Sequence, residues 1–170
     1  MGLLNKIVLK YNDAWWRAGL PPKQKGGWLY LLPKPLTPQT IGADLKPGED
    51  PLKKFEEVPL IAQDYHPING QPMLMIFVGP PTADALEALS PDQEKKLIGL
   101  IHKRLSDAVR FVDQEDPGFP TAYAISKWRS DPNTHGSYSY IPARYEARGI
   151  EGGSPLDMTE LGRPLLDGKL

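Results

Sequence analysis

Proline governs what this chain can build. Nineteen of its 170 residues are proline, and eight of those fall between Pro33 and Pro72. Each one fixes φ and removes a backbone donor, so a run this dense is a poor source of central strands or long helices. The expectation is about forty residues of extended loop, a Pro-rich loop or insertion at about 33–72 within a single domain covering 1–170. A linker between two domains is the alternative, but neither flank looks able to fold by itself.

Outside that stretch the pattern is ordinary for a globular chain. Leu3 to Tyr11 alternates as a strand, with Leu4, Lys6, Val8 and Lys10 on one face and Asn5, Ile7, Leu9 and Tyr11 on the other. Trp28 to Leu32 is a second short strand, stopped by Pro33. Leu60 to Tyr65 and Met73 to Val78 flank a segment containing Asn69-Gly70, which supplies the left-handed conformations of a hairpin turn. Thr82 is suited to cap a short helix through Leu89. Ser90-Pro91-Asp92-Gln93 combines an N-cap, a proline at the first helical position and a capping-box partner. Leu97, Ile98, Ile101, Leu105, Ala108 and Val109 then recur at helical spacing, predicting one apolar stripe and a helix ending near Phe111. Thr121 to Trp128 reads as a strand, and Tyr138 to Ile141 as a last short one. Strands and helices without a strict βαβ alternation predict an α+β fold, a mixed β-sheet backed by helices.

Several chemistries are excluded by composition and spacing. A net charge of −1 gives no electrostatic reason to expect nucleic acid or an anionic membrane. With no cysteine there is no disulfide and no thiolate metal site, and secretion gains no support. The longest purely apolar run, Met73 to Val78, is too short to span a bilayer. His66, His102 and His135 are scattered, which argues against a metal site, and His102 reads as a solvated residue on the polar flank of the long helix. There is no Gly-x-Gly-x-x-Gly turn and no Gly-x-Ser-x-Gly elbow.

One segment carries more information. Trp128-Arg129-Ser130-Asp131-Pro132, followed by Gly136-Ser137-Tyr138-Ser139-Tyr140, packs aromatics, hydroxyls and a glycine directly after a strand. Read from residue chemistry alone, it is a strand end and turn whose aromatics belong to the core. It also resembles the Trp-x-x-Asp-Pro…Gly-Ser-Tyr-Ser-Tyr signature of flavin-containing amine oxidases, the family of polyamine oxidases and lysine-specific histone demethylases. Gly2 to Lys6, continuing to Tyr11 and followed by Trp15-Trp16, resembles the family's Gly-x-x-x-Lys strand and aromatic pair. Met73 to Val78, the helices after it and the strand into Trp128 follow the family's order. Leu156-Asp157-Met158 and Pro164-Leu165 resemble the run leading into its last flavin-contacting segment.

The resemblance implies a substrate-binding domain lying against FAD, with the Rossmann-like FAD-binding domain supplied by segments missing from this chain. It implies a fragment that begins after the Gly-rich dinucleotide segment and stops before a Gly-Glu-(Ala/His)-Thr motif. The family's reaction takes a hydride equivalent from the carbon beside an amine nitrogen, gives an imine and returns electrons to oxygen as hydrogen peroxide. Lys6 matches the catalytic lysine that approaches flavin N5 through a water, and Trp128 and Tyr138 match aromatics lining the substrate pocket, Trp128 also facing the cofactor. Asp131, Ser137 and Tyr140 match supports of the turn. After Pro142 the sequence departs from the family's small-residue run, with Ala143 to Arg148 in its place. The partners implied are a small-molecule amine, a polyamine or a related one, together with oxygen and the remainder of the flavin-binding domain. A non-catalytic interaction domain derived from the same fold is the alternative.

Overall fold

The computed structural model describes residues 2–18, 27–31, 49–109 and 117–139, together with 152–154, 156, 159, 160 and 163. The chain divides into two compact units, one of Leu3–Ser137 and one of Met1–Gly2 with Tyr138–Leu170. All the elements named below belong to the first.

That unit is a five-stranded sheet with helices on one face. Its strands are β1 (Asn5–Lys10), β2 (Trp28–Leu31), β3 (Leu60–Asp64), β4 (Met73–Val78) and β5 (Ala122–Ile125), in the spatial order β2-β3-β4-β1-β5. The helices are α1 (Pro51–Glu57), a single turn α2 (His66–Asn69), α3 (Thr82–Glu87) and the 19-residue α4 (Pro91–Val109). The class is α+β, as the sequence implies, but the sheet is antiparallel at every pairing rather than mixed. Topology gives the reason. The helices α3 and α4 return the chain so that β5 runs in the direction of β4, which would make a parallel pair. The first strand, β1, lies between them and is antiparallel to both.

Alternation along the strands decides which face is closed. Asn5, Ile7 and Leu9 of β1, Leu74, Ile76 and Val78 of β4, and Leu60 and Ala62 of β3 are all buried. The apolar residues of this set form one core with Leu97, Ile98, Ile101 and Leu105 of α4, whose spacing puts them on a single helical stripe. The α4 N-terminus is built as its sequence predicts: Gln93 N–H donates to Ser90 Oγ at 3.4 Å, and Gln93 Oε1 accepts from Ser90 N–H at 3.1 Å. Its last described residue is Val109, and 110–116 lie outside the described residues. Thr82, expected as a cap, is instead the first residue of α3 and is buried, with Pro81 before it.

The proline-rich region departs most from expectation. Residues 32–48 lie outside the described residues, but 51–72 form α1, β3 and α2 rather than loop. The prolines permit this by position. Pro51 stands in the first turn of α1, where the missing N–H has no helical partner to lose, and Asp50 caps the same turn by accepting from Leu52 N–H at 3.0 Å. Pro67 does the same in α2. Pro59 and Pro72 fall just outside β3 and β4, so no proline interrupts a ladder. The β3–β4 hairpin forms as predicted, with α2 inside its loop and Gly70 at φ 71°, the left-handed position that Asn69-Gly70 foreshadows. Nor is this region peripheral: Phe55 is fully buried and β3 is an interior strand.

Two further residues depart from a surface reading. His102 is half-buried, bonded through Nδ1 to the Tyr11 hydroxyl at 3.1 Å, and sits among the rings of Tyr11, Trp15 and Phe119. Burial pushes the Tyr11 phenol above its ordinary value, so it stays neutral in this cluster. From the same helix Arg104 reaches the carbonyls of Phe55, Val58 and Leu31, the last two at 2.9 and 3.3 Å. One guanidinium thereby ties the end of α1 and the edge strand β2 to α4, its charge also suiting the C-terminus of α1.

Replacing Arg104 with Met keeps the apolar stem but orphans three carbonyls. The Arg104→Met variant is expected to lose about 2–3 kcal/mol of stability in urea unfolding. A loss under a few tenths would show that water satisfies those carbonyls as well.

Candidate functional site

The two faces of the sheet differ in kind. One carries the helices; the other carries side chains that no described helix covers. Paired residues of antiparallel strands share a face, so the register places Tyr30, Ile61, Phe77 and Lys6 in one row across β2, β3, β4 and β1. The next row holds Trp28, Gln63, Met75 and Val8, and then Ala124 on β5. Trp28 and Tyr30 are 48% and 66% exposed, far above what core aromatics show. The rings of Trp28 and Phe77 meet across β3 with centroids 5.4 Å apart. Lys6 and Lys10 are the charged residues that alternation puts on this face among the described residues, and no described carboxylate pairs with Lys6. The result is an open apolar and aromatic surface with positive charge.

Lys6 therefore sits on the face without described helices rather than among them. Its backbone is fixed by β5: Lys6 N–H donates to Ser126 Oγ at 2.8 Å, and Lys6 C=O accepts from Ser126 N–H at 2.9 Å. The segment that ends in Trp128 is brought beside β1 in the same way, although the two are more than a hundred residues apart in sequence. Trp128 N–H donates to Asn5 Oδ1 at 3.1 Å, and its half-buried indole packs against the core cluster.

The turn after Trp128 is built around that carbonyl and the side chain of Asp131. Trp128 C=O accepts from Thr134 Oγ1 at 2.6 Å and from Gly136 N–H at 2.9 Å. Asp131 Oδ1 accepts from Asn133 N–H at 2.8 Å, and Asp131 C=O from His135 N–H at 3.1 Å. His135 takes a left-handed conformation, φ 51°, which bends the chain back. Ser137 Oγ accepts from Leu4 N–H at 2.6 Å, closing the turn onto the start of β1. Asp131 and Ser137 thus support the turn, while Tyr140 and 143–148 lie outside the described residues.

Tyr138 belongs to the other unit. There its carbonyl accepts from Gly2 N–H at 2.8 Å, and its ring lies so close over Gly2 that an added Cβ would stand 2.3 Å from it. Any larger residue at that position would require the Tyr138 ring to move aside. The Tyr138 ring is 49% exposed.

The group that sequence reasoning missed is Glu87 with Asn5. Asn5 is fully buried on the helix-facing side of β1; its Nδ2 donates to Glu87 Oε1 at 2.9 Å while its Oδ1 holds Trp128 and Ser126. Glu87, at the end of α3, also accepts from the N–H groups of Arg129 and Ser130, each at 3.0 Å, and from the Ser130 hydroxyl. Burial alone would raise the Glu87 pKa, but the bonds from Ser130, Asn5 and Arg129 outweigh it and hold the carboxyl below its ordinary value of 4.5. An amide on a strand face otherwise filled by Ile7 and Leu9 was the one visible signal.

The profile of a family described as flavin containing amine oxidoreductase matches residues 1–155. Among individual curated proteins, none matches the chain.

Glu87 yields a pH prediction. With the folded pKa below the unfolded one, ionised Glu87 stabilises the fold above pH 4.5, and that contribution fades as pH falls through the folded value. Glu87→Gln should cost about 1 kcal/mol or less at neutral pH, since solvent screens the partly exposed carboxylate, and the gap to wild type should narrow as the solution is acidified. Urea unfolding across pH checks it; a gap independent of pH would assign the loss to shape rather than charge.

Proposed function

The chain belongs to the flavin-containing amine oxidoreductase family, and we propose that it supplies the substrate-binding face of an FAD-dependent amine oxidase of the polyamine oxidase type. The substrate is a polyamine or related amine, oxidised at a C–N bond to an imine, with hydrogen peroxide formed from oxygen. The observation that carries the reading is the position of Lys6: an ammonium without a described carboxylate partner, on the face of the sheet that no described helix covers, beside Phe77.

The face suits the cofactor on physical grounds. A flavin ring is flat, apolar on its faces and gains negative charge on reduction. Exposed Trp28 and Tyr30, with half-buried Phe77 beside Trp28, offer surface for a flat group to cover, and Lys6 offers the opposite charge. FAD, when bound, accepts the hydride equivalent and passes the electrons to oxygen. The chain's own residues do the rest. Lys6 holds a positive charge at the reacting edge, where it stabilises charge developing on reduced oxygen. Trp128, which matches an aromatic of the family's substrate pocket, offers aromatic surface to the amine, excluding water from the C–N bond and favouring the cationic remainder by about 1–2 kcal/mol. Asn5 and Glu87 position Trp128 through its backbone rather than touching substrate.

Holding the dinucleotide is a separate task. Backbone N–H groups of a Gly-rich turn at a helix N-terminus usually bind the pyrophosphate, and this chain has no Gly-x-Gly-x-x-Gly. We assign that task to other segments. The 170-residue chain mixed with FAD should then show no saturable quenching of flavin fluorescence; a stoichiometric yellow species after gel filtration would contradict this.

The role of Lys6 is tested in the flavin-loaded enzyme. Lys6→Met should slow flavin reoxidation by oxygen at least about tenfold more than it slows anaerobic reduction by amine, a transition-state loss confined to one half-reaction. Equal slowing of both, or of neither, would return Lys6 to the status of a surface lysine.

A further inference from the structure

We propose that Met73 and Met75 are sites of modification by the peroxide that the enzyme itself forms, and that their oxidation to sulfoxides limits its turnover. This rests on the amine oxidase reading above, which supplies the oxidant, and adds a regulatory chemistry to the face that carries Lys6.

The chain has no cysteine, so its four methionines hold all of its sulfur, the element that hydrogen peroxide oxidises most readily in a protein. Met1 and Met158 lie outside the described residues. The other two alternate along β4 with Phe77, so Phe77, Met75 and Met73 share one face of the strand. Register sets them opposite Lys6, Val8 and Lys10, on the face that no described helix covers. Met75 is 8% exposed yet stands outside the core cluster, as a residue of that face should, and Met73 is half-buried. Neighbouring strands lie about 4.8 Å apart and residues rise about 3.4 Å along each. In backbone position Met75 is therefore about 8 Å from Lys6, and Met73 about 14 Å. Peroxide released in front of Lys6 meets both thioethers as it leaves along the face.

The step balances without a further reagent. The thioether sulfur attacks one peroxide oxygen, the O–O bond breaks and an S–O bond forms. The displaced hydroxide takes up the proton of the transferred oxygen and leaves as water. Sulfur loses two electrons and peroxide gains them. A flexible apolar side chain thereby becomes a polar one. Met75 shares its row with Trp28 and stands two residues from Phe77, and the rings of those two meet. A sulfoxide oxygen there seeks a hydrogen bond that the face of a flat ring cannot give, so covering it is costly. Packing of a flavin on this face, and turnover with it, falls as sulfoxide accumulates. Thiol-dependent reduction returns the thioether and releases water, which makes the brake reversible.

Two experiments separate the modification from its source. In the first, the 170-residue chain is treated with hydrogen peroxide and its peptides are read by mass spectrometry. Met73 should oxidise faster than Met75, in the order of their exposure. If neither oxidises at a peroxide level that oxidises N-acetylmethionine, the proposal is overturned. In the second, the flavin-loaded enzyme turns over spermidine with catalase in solution, which destroys peroxide once it has left the protein. Met73 and Met75 should still oxidise while added N-acetylmethionine does not, and the share of Met75 should rise because peroxide starts beside Lys6. Both residues staying unoxidised, or the ratio of the first experiment persisting, would overturn the proposal. Met73→Leu combined with Met75→Leu keeps the apolar volume and should complete several-fold more turnovers before activity halves. Sulfoxide reductases of both stereospecificities with dithiothreitol should restore the oxidised wild-type enzyme. Equal decay of variant and wild type would remove the limiting role. The first experiment involves no flavin and holds whatever Lys6→Met shows. Failure of the second in an enzyme that forms peroxide leaves the Lys6 assignment standing, whereas an enzyme that forms none overturns both readings together.

Discussion

The bond between buried Asn5 and half-buried Glu87 holds the start of β1, the end of α3 and the turn after β5 in register. A primary amide enclosed on a core face is costly unless its groups are satisfied, and here they are: Nδ2 by Glu87, Oδ1 by Trp128 and Ser126. Glu87 in turn accepts four bonds from Asn5, Arg129 and Ser130. Three segments distant in sequence, the start of β1, the end of α3 and the turn after β5, therefore share one hydrogen-bonded junction. Removing Glu87 leaves the buried Asn5 amide without the acceptor of its Nδ2, which makes that bond the sensitive one of the junction. The neighbouring ion pairs of Arg129 with Asp84 and Lys127 with Glu94 draw the same turn onto α3 and α4, at more exposed sites where each contributes less.

Local rules made much of the fold readable. The capping box at Ser90, the apolar stripe of α4, the alternation of β1 and the Asn69-Gly70 hairpin are each set by residues within one or two turns of one another. Where the fold was misread, the deciding fact was positional or distant. Proline density argues for loop, but Pro51 and Pro67 occupy first-turn helical positions where their chemistry is tolerated. His102 looks polar by helical phase, yet Tyr11 arrives from 91 residues away to bond it. The all-antiparallel sheet depends on β1 inserting between β4 and β5, a choice that no local pattern encodes.

The site was legible in a different way. Nothing in alternation or charge distinguishes Lys6 from Lys10, and Trp128 reads equally as a core aromatic. Their proposed roles rest on resemblance to a family; the match across 1–155 shows the family itself. The junction beneath them was not legible, since Asn5 and Glu87 are 82 residues apart and Asn5 falls at an unspecified position of the Gly-x-x-x-Lys match. A buried amide in an otherwise apolar strand face is the clue worth following in such sequences, because its partners must exist somewhere in the fold.

The two faces of the sheet divide stability from chemistry. The helix face encloses the large apolar side chains and the Asn5 junction, so the fold does not depend on what occupies the other side. That leaves the open face free to carry residues that a core would not retain, including half-buried Lys6 beside Phe77. Its charge is also left undiminished by its neighbour on the strand. Lys10 is four residues away, about 13 Å along β1, beyond the roughly 8 Å over which salt at physiological strength screens exposed charges. On the proposed reading, Lys6 is a local cation with no carboxylate partner among the described residues, and a negative charge developing beside it in an apolar setting is stabilised more strongly than it would be in water. A carboxylate placed on Phe77 or Val8 would cancel that charge from the face opposite the core.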